Sequence, residues 1–185
     1  MKRLLWLFGF CLILVFCQQP TEPDWLQGRI VFLGDSITQD GRYVSIIEYE
    51  LFKQYPHSNF DLISIGLSSE TVSGLTEPNH SYPRPDLHDR LDRALTFLQP
   101  STVFACYGMN DGIYHPQSKE RMAAYQQGIQ KLIDKVHAIN AQLILLTPPI
   151  FDAAVIPEKV VGREAEQFGY ASPYEDYNNV LADYA

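Results

Sequence analysis

Four short apolar runs, each closed by a glycine or a proline and each followed or preceded by a stretch of helical spacing, leave this chain few folds to choose from. "RIVFLG" (29–34) has the length and β-branching of a fully buried strand, and "FDLISIG" (60–66), "TVFACYG" (102–108) and "AQLILLTPP" (141–149) read as three more. Between them, apolar residues recur at helical intervals. Val44, Ile47, Leu51 and Phe52 share a face of 43–55, and Leu91, Leu95 and Leu98 share a face of 88–98. Met122, Tyr125, Ile129, Leu132, Ile133 and Val136 form the stripe of 118–139, with Ser118 as its N-cap, and Gln99-Pro100 stops the helix before it. A last helix is expected over 172–184, with Ser172 capping and Pro173 in its first position. Strands alternating with helices predict an α/β domain: a doubly wound, flavodoxin-like parallel sheet with helices on both faces, in three layers α/β/α.

In such a sheet ligands bind outside the carboxyl ends of the strands. That rule singles out Gly34-Asp35-Ser36, Gly66 to Thr71, Gly108 to Asp111 and Thr147-Pro148-Pro149. Ser36 falls where a new segment starts and free N–H groups point outward. A hydroxyl there can attack a carbonyl while its own N–H steadies the oxyanion. Taken alone, Gly-Asp-Ser is ordinarily a turn, and anion binding is a competing use. Neither a P-loop nor a dinucleotide fingerprint occurs. Asn110 offers an amide that donates without titrating, which suits an oxyanion hole, although Asn-Asp alone is a common turn signal. Asp35 sits beside Ser36 but points the wrong way to orient a histidine on it, so it is read as a turn residue. Asp111 is read as an acceptor for local backbone N–H groups. No His or Cys spacing suggests a metal site, and no cofactor is expected.

"FLGDSIT" (32–38) and "GMND" (108–111), with the α/β pattern between them, resemble the first and third blocks of the SGNH hydrolase superfamily, the GDSL lipases and esterases. The resemblance runs from about residue 29 to 185. It implies that Ser36 is the nucleophile, and that its N–H and the Asn110 side-chain amide are two oxyanion donors. The family's third donor is a glycine N–H in a second block, roughly Asn-x-x-x-x-Gly-Asp-Thr. Here "SIGLSSET" puts Ser69 where that glycine stands, Glu70 for the Asp and Thr71 on the Thr. Ser69 can donate its N–H if its dihedrals tolerate a Cβ, and Gly66 is the alternative if the loop is shifted. The implied activity is hydrolysis of carboxylic esters. A carbohydrate acetylesterase is one form of it, with Tyr43, Tyr82, Tyr107 and Tyr114 near the strand ends as candidate stacking surfaces for a sugar. A lipase, lysophospholipase or thioesterase of the same fold is the alternative.

A serine needs a base. In the family it is the histidine of a late Asp-x-x-His block. Of the five histidines, His57, His80, His88, His115 and His137, only His137 has an Asp three residues before it, Asp134, and that pair lies on the long helix 118–139 ahead of the fourth strand, not in a late block. The chain also stops inside an amphipathic helix. The sequence is therefore expected to be a fragment, weak or inactive alone, whose parent carries the Asp and His beyond residue 185. A glycan-binding domain without catalysis is the rival reading.

The first residues are expected to be an export signal. Lys2 and Arg3 precede an uncharged, mostly apolar run over 4–16, shorter than the roughly 20 residues that span a bilayer. "LVFC" (14–17) resembles a bacterial lipoprotein signal, with Cys17 as the lipidated residue, although Phe16 departs from the usual small residue. The organisation read from this is 1–17 signal, 18–28 linker and 29–185 domain. The expected location is periplasmic, membrane-anchored or secreted. The formal charge is −8, which disfavours nucleic acid as a partner; a small-molecule or glycan ester is expected instead. Cys11 and Cys17 belong to the signal, so Cys106 is alone in the domain, in an apolar run that predicts a buried, inert thiol.

Overall fold

The computed structural model describes residues 21–78, 80–152 and 177–185. The signal segment and residues 172–176 of the expected last helix lie outside them. Four strands, β1 (Gly28–Gly34), β2 (Phe60–Ser64), β3 (Thr102–Cys106) and β4 (Gln142–Leu146), form one parallel sheet in the order β2-β1-β3-β4. The helices are α1 (Ser36–Asp40), α2 (Arg42–Gln54), α3 (Leu91–Leu98), α4 (Lys119–Ala138) and α5 (Tyr177–Tyr184), with short 3₁₀ turns at Asp24–Leu26 and Leu87–Asp89. The four strands, the helices α2, α3 and α4 and the doubly wound order are those expected from the sequence, while the short α1 is not among the expected helices.

The period of two along β1 builds two cores. Ile30 and Phe32 face α2, packing with Val44 and Leu51, and the Phe32 ring stacks on Phe104 at 4.8 Å. Val31 and Leu33 face the other side, where Leu91 and Leu95 of α3, Leu132 and Val136 of α4, and Val180 and Leu181 of α5 cover them. Each such leucine buried from water contributes about 1.5–3 kcal/mol. β1 therefore has no polar face, which is why its apolar run is continuous. Phe52, expected on the buried face of α2, is 51 % exposed and leans on the edge-strand ring of Phe60 at 4.9 Å.

Within the segment read as a linker, Leu26 is fully buried in the α2-side core and Trp25 meets Phe104 edge-to-face at 5.4 Å. Packing thus begins before Arg29. Among the described residues no helix is long and apolar enough to cross a membrane.

The topology places the site. β1 pairs with β2 on one side and β3 on the other, with Gly34 in register with Cys106. The chain reverses its direction of winding between β1 and β3, so the crevice beyond their carboxyl ends is the switch point where ligands bind. The loops that leave Gly34 and Cys106 border it.

Candidate active site

Leaving β1, the chain turns at once into α1. Asp35 caps that helix, its Oδ1 accepting from the Ile37 N–H at 2.9 Å. It is a turn residue, as read. Ser36 is the first helical residue and is exposed; among the described residues no group accepts from its N–H. Thr38 is fully buried, its hydroxyl 2.9 Å from that of Tyr43. A Cβ on Gly34 would meet the Thr38 hydroxyl at 2.1 Å, so only glycine fits where the strand breaks. Ser36, Ile37, Asp40, Arg42 and Tyr43 wall a shallow depression of about 340 Å³.

Beyond β3, Gly108 takes a φ of +123° and Pro148 packs against it. Asp111 is fully buried and accepts the N–H groups of Gly108 (3.0 Å), Val72 (3.0 Å) and Ser73 (2.8 Å). One carboxylate thus ties the third loop to the second. Asn110 is 4 % exposed. Its Nδ2 donates to the Glu70 carbonyl at 3.1 Å and lies 3.4 Å from Asp35 Oδ2, while the Tyr114 hydroxyl donates to its Oδ1 at 3.3 Å. The amide nitrogen is therefore held between the first and second loops. Ile113 and Tyr114 follow with φ of +46° and +53°, left-handed values that cost non-glycine residues about 1–3 kcal/mol each.

In the second loop the two alternatives for a backbone donor differ in kind. A Cβ on Gly66 would meet the Gln39 nitrogen at 2.2 Å, so that glycine lets the loop lie against α1. Ser69 has a φ of +65°, the left-handed conformation glycine favours, and its N–H has no acceptor among the described residues. A serine thus holds this conformation at the steric cost of its Cβ. Glu70 is fully buried; Arg90 donates to it twice at 2.6 Å and the Tyr107 hydroxyl donates to it at 2.6 Å. Tyr107 is therefore a buried structural group and offers no stacking face. Of the four tyrosines named for that role, Tyr82 is the most open, 51 % exposed, while Tyr114 lies stacked on Tyr177.

The Asn110 amide thus meets the neighbours of both serines, Asp35 beside Ser36 and Glu70 beside Ser69, among buried carboxylates. Burial pushes Asp35 up to about 6, with Asp111 and Glu70 adding to the effect. Burial likewise raises Asp111 against the pull of its N–H donors, and lifts Cys106 to about 11, an inert thiol. The Asp35 shift has a testable sign. A folded value above the ordinary 3.8 means that the fold prefers the neutral acid. That contribution is complete below pH about 4 and lost as pH rises through about 6. Asp35→Asn keeps a capping side chain without the charge. Relative to the parent it gains about 3 kcal/mol between pH 4 and pH 8 in urea unfolding; a difference independent of pH would contradict the shift.

Among the described residues no histidine hydrogen-bonds Ser36. His88 Nε2 meets the Gly128 carbonyl at 3.1 Å, His115 Nδ1 meets the Ile113 carbonyl at 2.6 Å, and His57 and His137 are exposed. Nor do the described residues contain a group of three or more His, Cys, Asp or Glu able to hold a metal. The sequence reading missed Arg84 and Glu77, a buried ion pair behind the second loop, and Tyr114 as the partner of Asn110. Nothing in a proline-rich loop distinguishes them before the chain is folded.

The model of the GDSL-like lipase/acylhydrolase family matches residues 32–185. The chain belongs to that family. Solved structures share the fold. Est24, a carbohydrate acetylesterase from Sinorhizobium meliloti, is 16 % identical with a TM-score of 0.57, covering 86 % of this chain and 80 % of its own. The inhibitor-bound aryl esterase of M. smegmatis is 19 % identical with a TM-score of 0.55, covering 85 % of this chain and 79 % of its own. A gut microbial diltiazem-metabolizing enzyme is 19 % identical with a TM-score of 0.59 over 90 % of this chain. The chain spans about a third of that enzyme's length. A comparison with curated proteins found no match.

Proposed function

We propose that this protein is an exported serine esterase acting on short acyl esters, carbohydrate acetates among them. The observation that carries the reading is the convergence at the switch point: an exposed serine at the start of α1, the Asn110 amide held between two loops, and the Ser69 N–H without an acceptor among the described residues. The Ser36 Oγ attacks the ester carbonyl and its proton passes to a general base. The carbonyl oxygen becomes an oxyanion that accepts from the Ser36 N–H, the Asn110 amide and the Ser69 N–H. Collapse of that intermediate breaks the bond to the alcohol and leaves an acyl-serine, which water then hydrolyses.

A small acyl group is favoured by the depression beside Ser36. It is shallow, and Asp40 and Arg42 set charged groups in its wall, which a long acyl chain would have to pass. The exposed Tyr82, its hydroxyl 3.1 Å from that of Ser69, supports a contact with the alcohol part, and Est24 is a carbohydrate acetylesterase of similar fold. The basic-then-apolar segment at 2–16 supports export, and Cys17 is the residue a lipid would modify. A nitrophenyl ester series tests the substrate class: kcat/KM for the acetate exceeds that for the octanoate by at least about tenfold, since each methylene mismatched to a pocket costs about 1 kcal/mol or more. A preference for octanoate would favour the lipase or thioesterase reading.

A further inference from the structure

We propose that Arg84 is a positioning residue that holds Ser69 in the conformation its oxyanion role requires; this rests on the function proposed above. Ser69 stands in a left-handed conformation at φ +65°, which a Cβ disfavours, so the backbone needs an outside restraint. Contacts on both sides supply it. The preceding amide, Ser68 N–H, donates to Gln39 Oε1 at 2.6 Å, which anchors the loop to α1. On the far side the Ser69 carbonyl accepts from Arg84 Nη1 at 3.4 Å. Ser68 N–H and Ser69 C=O flank the N–H assigned to the oxyanion, so fixing both sets its direction.

Arg84 is built to stay in place. Its side chain is 3 % exposed, and its Nε and Nη2 donate to the two oxygens of Glu77 at 2.6 and 2.5 Å. A bidentate pair of this kind fixes the guanidinium plane. The same group lies 5.9 Å from the centre of the Tyr114 ring, whose hydroxyl donates to Asn110 Oδ1. One buried cation therefore braces both the backbone donor and the side-chain donor. A glycine at position 69 would not require the restraint, because it adopts positive φ without a steric penalty.

That last point supplies the test. Arg84→Met and Arg84→Lys are made in protein from the full-length gene, each with and without Ser69→Gly. Because Arg84→Met strands the buried Glu77 carboxylate, the neutral pair Glu77→Gln/Arg84→Met is measured beside it. Kinetics on nitrophenyl acetate are read with hydrogen exchange of the peptide over 66–75, which does not depend on turnover. The expected result is a fall in kcat of at least tenfold with KM within twofold, and exchange at least tenfold faster in that peptide. Lysine at position 84 restores little. Ser69→Gly recovers most of the lost kcat. Unchanged exchange overturns the restraint itself. Faster exchange with unchanged kcat, or a kcat loss that Ser69→Gly does not relieve, overturns the positioning role. Turnover that survives Ser36→Ala instead overturns the esterase reading, and the exchange data still decide the restraint.

Discussion

Ser36→Ala lowers ester turnover by about 10⁴-fold or more in protein from the full-length gene, with no measurable loss of stability. The two halves of this result come from different observations. The Ser36 side chain is exposed and makes no hydrogen bond among the described residues, so its hydroxyl contributes nothing to the packing of α1. Alanine is also the best helix former, which keeps the change within about 0.5 kcal/mol. Removing a serine nucleophile, by contrast, leaves only what the oxyanion donors and substrate binding supply. Kinetics on nitrophenyl acetate, with thermal unfolding of the same samples, read both halves. Retained turnover would remove Ser36 from the mechanism. A large stability loss would mean that it serves the fold instead.

Glu70→Ala has the largest effect on stability, a loss of about 3–5 kcal/mol. Glu70 is fully buried and accepts two hydrogen bonds from Arg90 and one from Tyr107. Alanine leaves the buried Tyr107 phenol without its acceptor and the Arg90 guanidinium without its carboxylate. Arg90 also donates to the Ile65 carbonyl at 2.9 Å, so the end of β2 loosens with it. For a chain of this size the midpoint of thermal unfolding falls on the order of 10 °C. A shift of only one or two degrees would show that the pair contributes little beyond its own desolvation. The stability loss is accompanied by a loss of activity, because the Glu70 carbonyl holds the Asn110 amide.

The pattern of apolar runs made the sheet and its winding legible. β1 is buried on both faces, and the same burial that makes a strand central makes its sequence continuous in apolar residues. The loops of the site were legible for a related reason: each starts where such a run ends at a glycine. Local roles followed, as with Asp35 capping α1 and Asp111 gathering backbone N–H groups. The polar pairings within and between the loops were not legible. Glu70 with Arg90, Glu77 with Arg84, and Tyr114 with Asn110 are charged or polar residues in loops, and no period marks their partners. Tyr107 read as a stacking surface near a strand end but is buried, because its hydroxyl has Glu70 to satisfy it. Leu26 read as part of a linker because its neighbours are polar, yet it fills the core beneath β1.

The central claim is that the Ser36 hydroxyl is the attacking group. Incubating protein from the full-length gene with a small alkyl fluorophosphonate tests it most directly, since attack forms an Oγ–P bond and releases fluoride without needing the natural substrate. Peptide mass spectrometry should find one adduct, on the peptide containing Ser36, rising in step with the loss of esterase activity and absent in Ser36→Ala. Loss of activity with the adduct on another residue, or full activity retained after complete modification of Ser36, would contradict it.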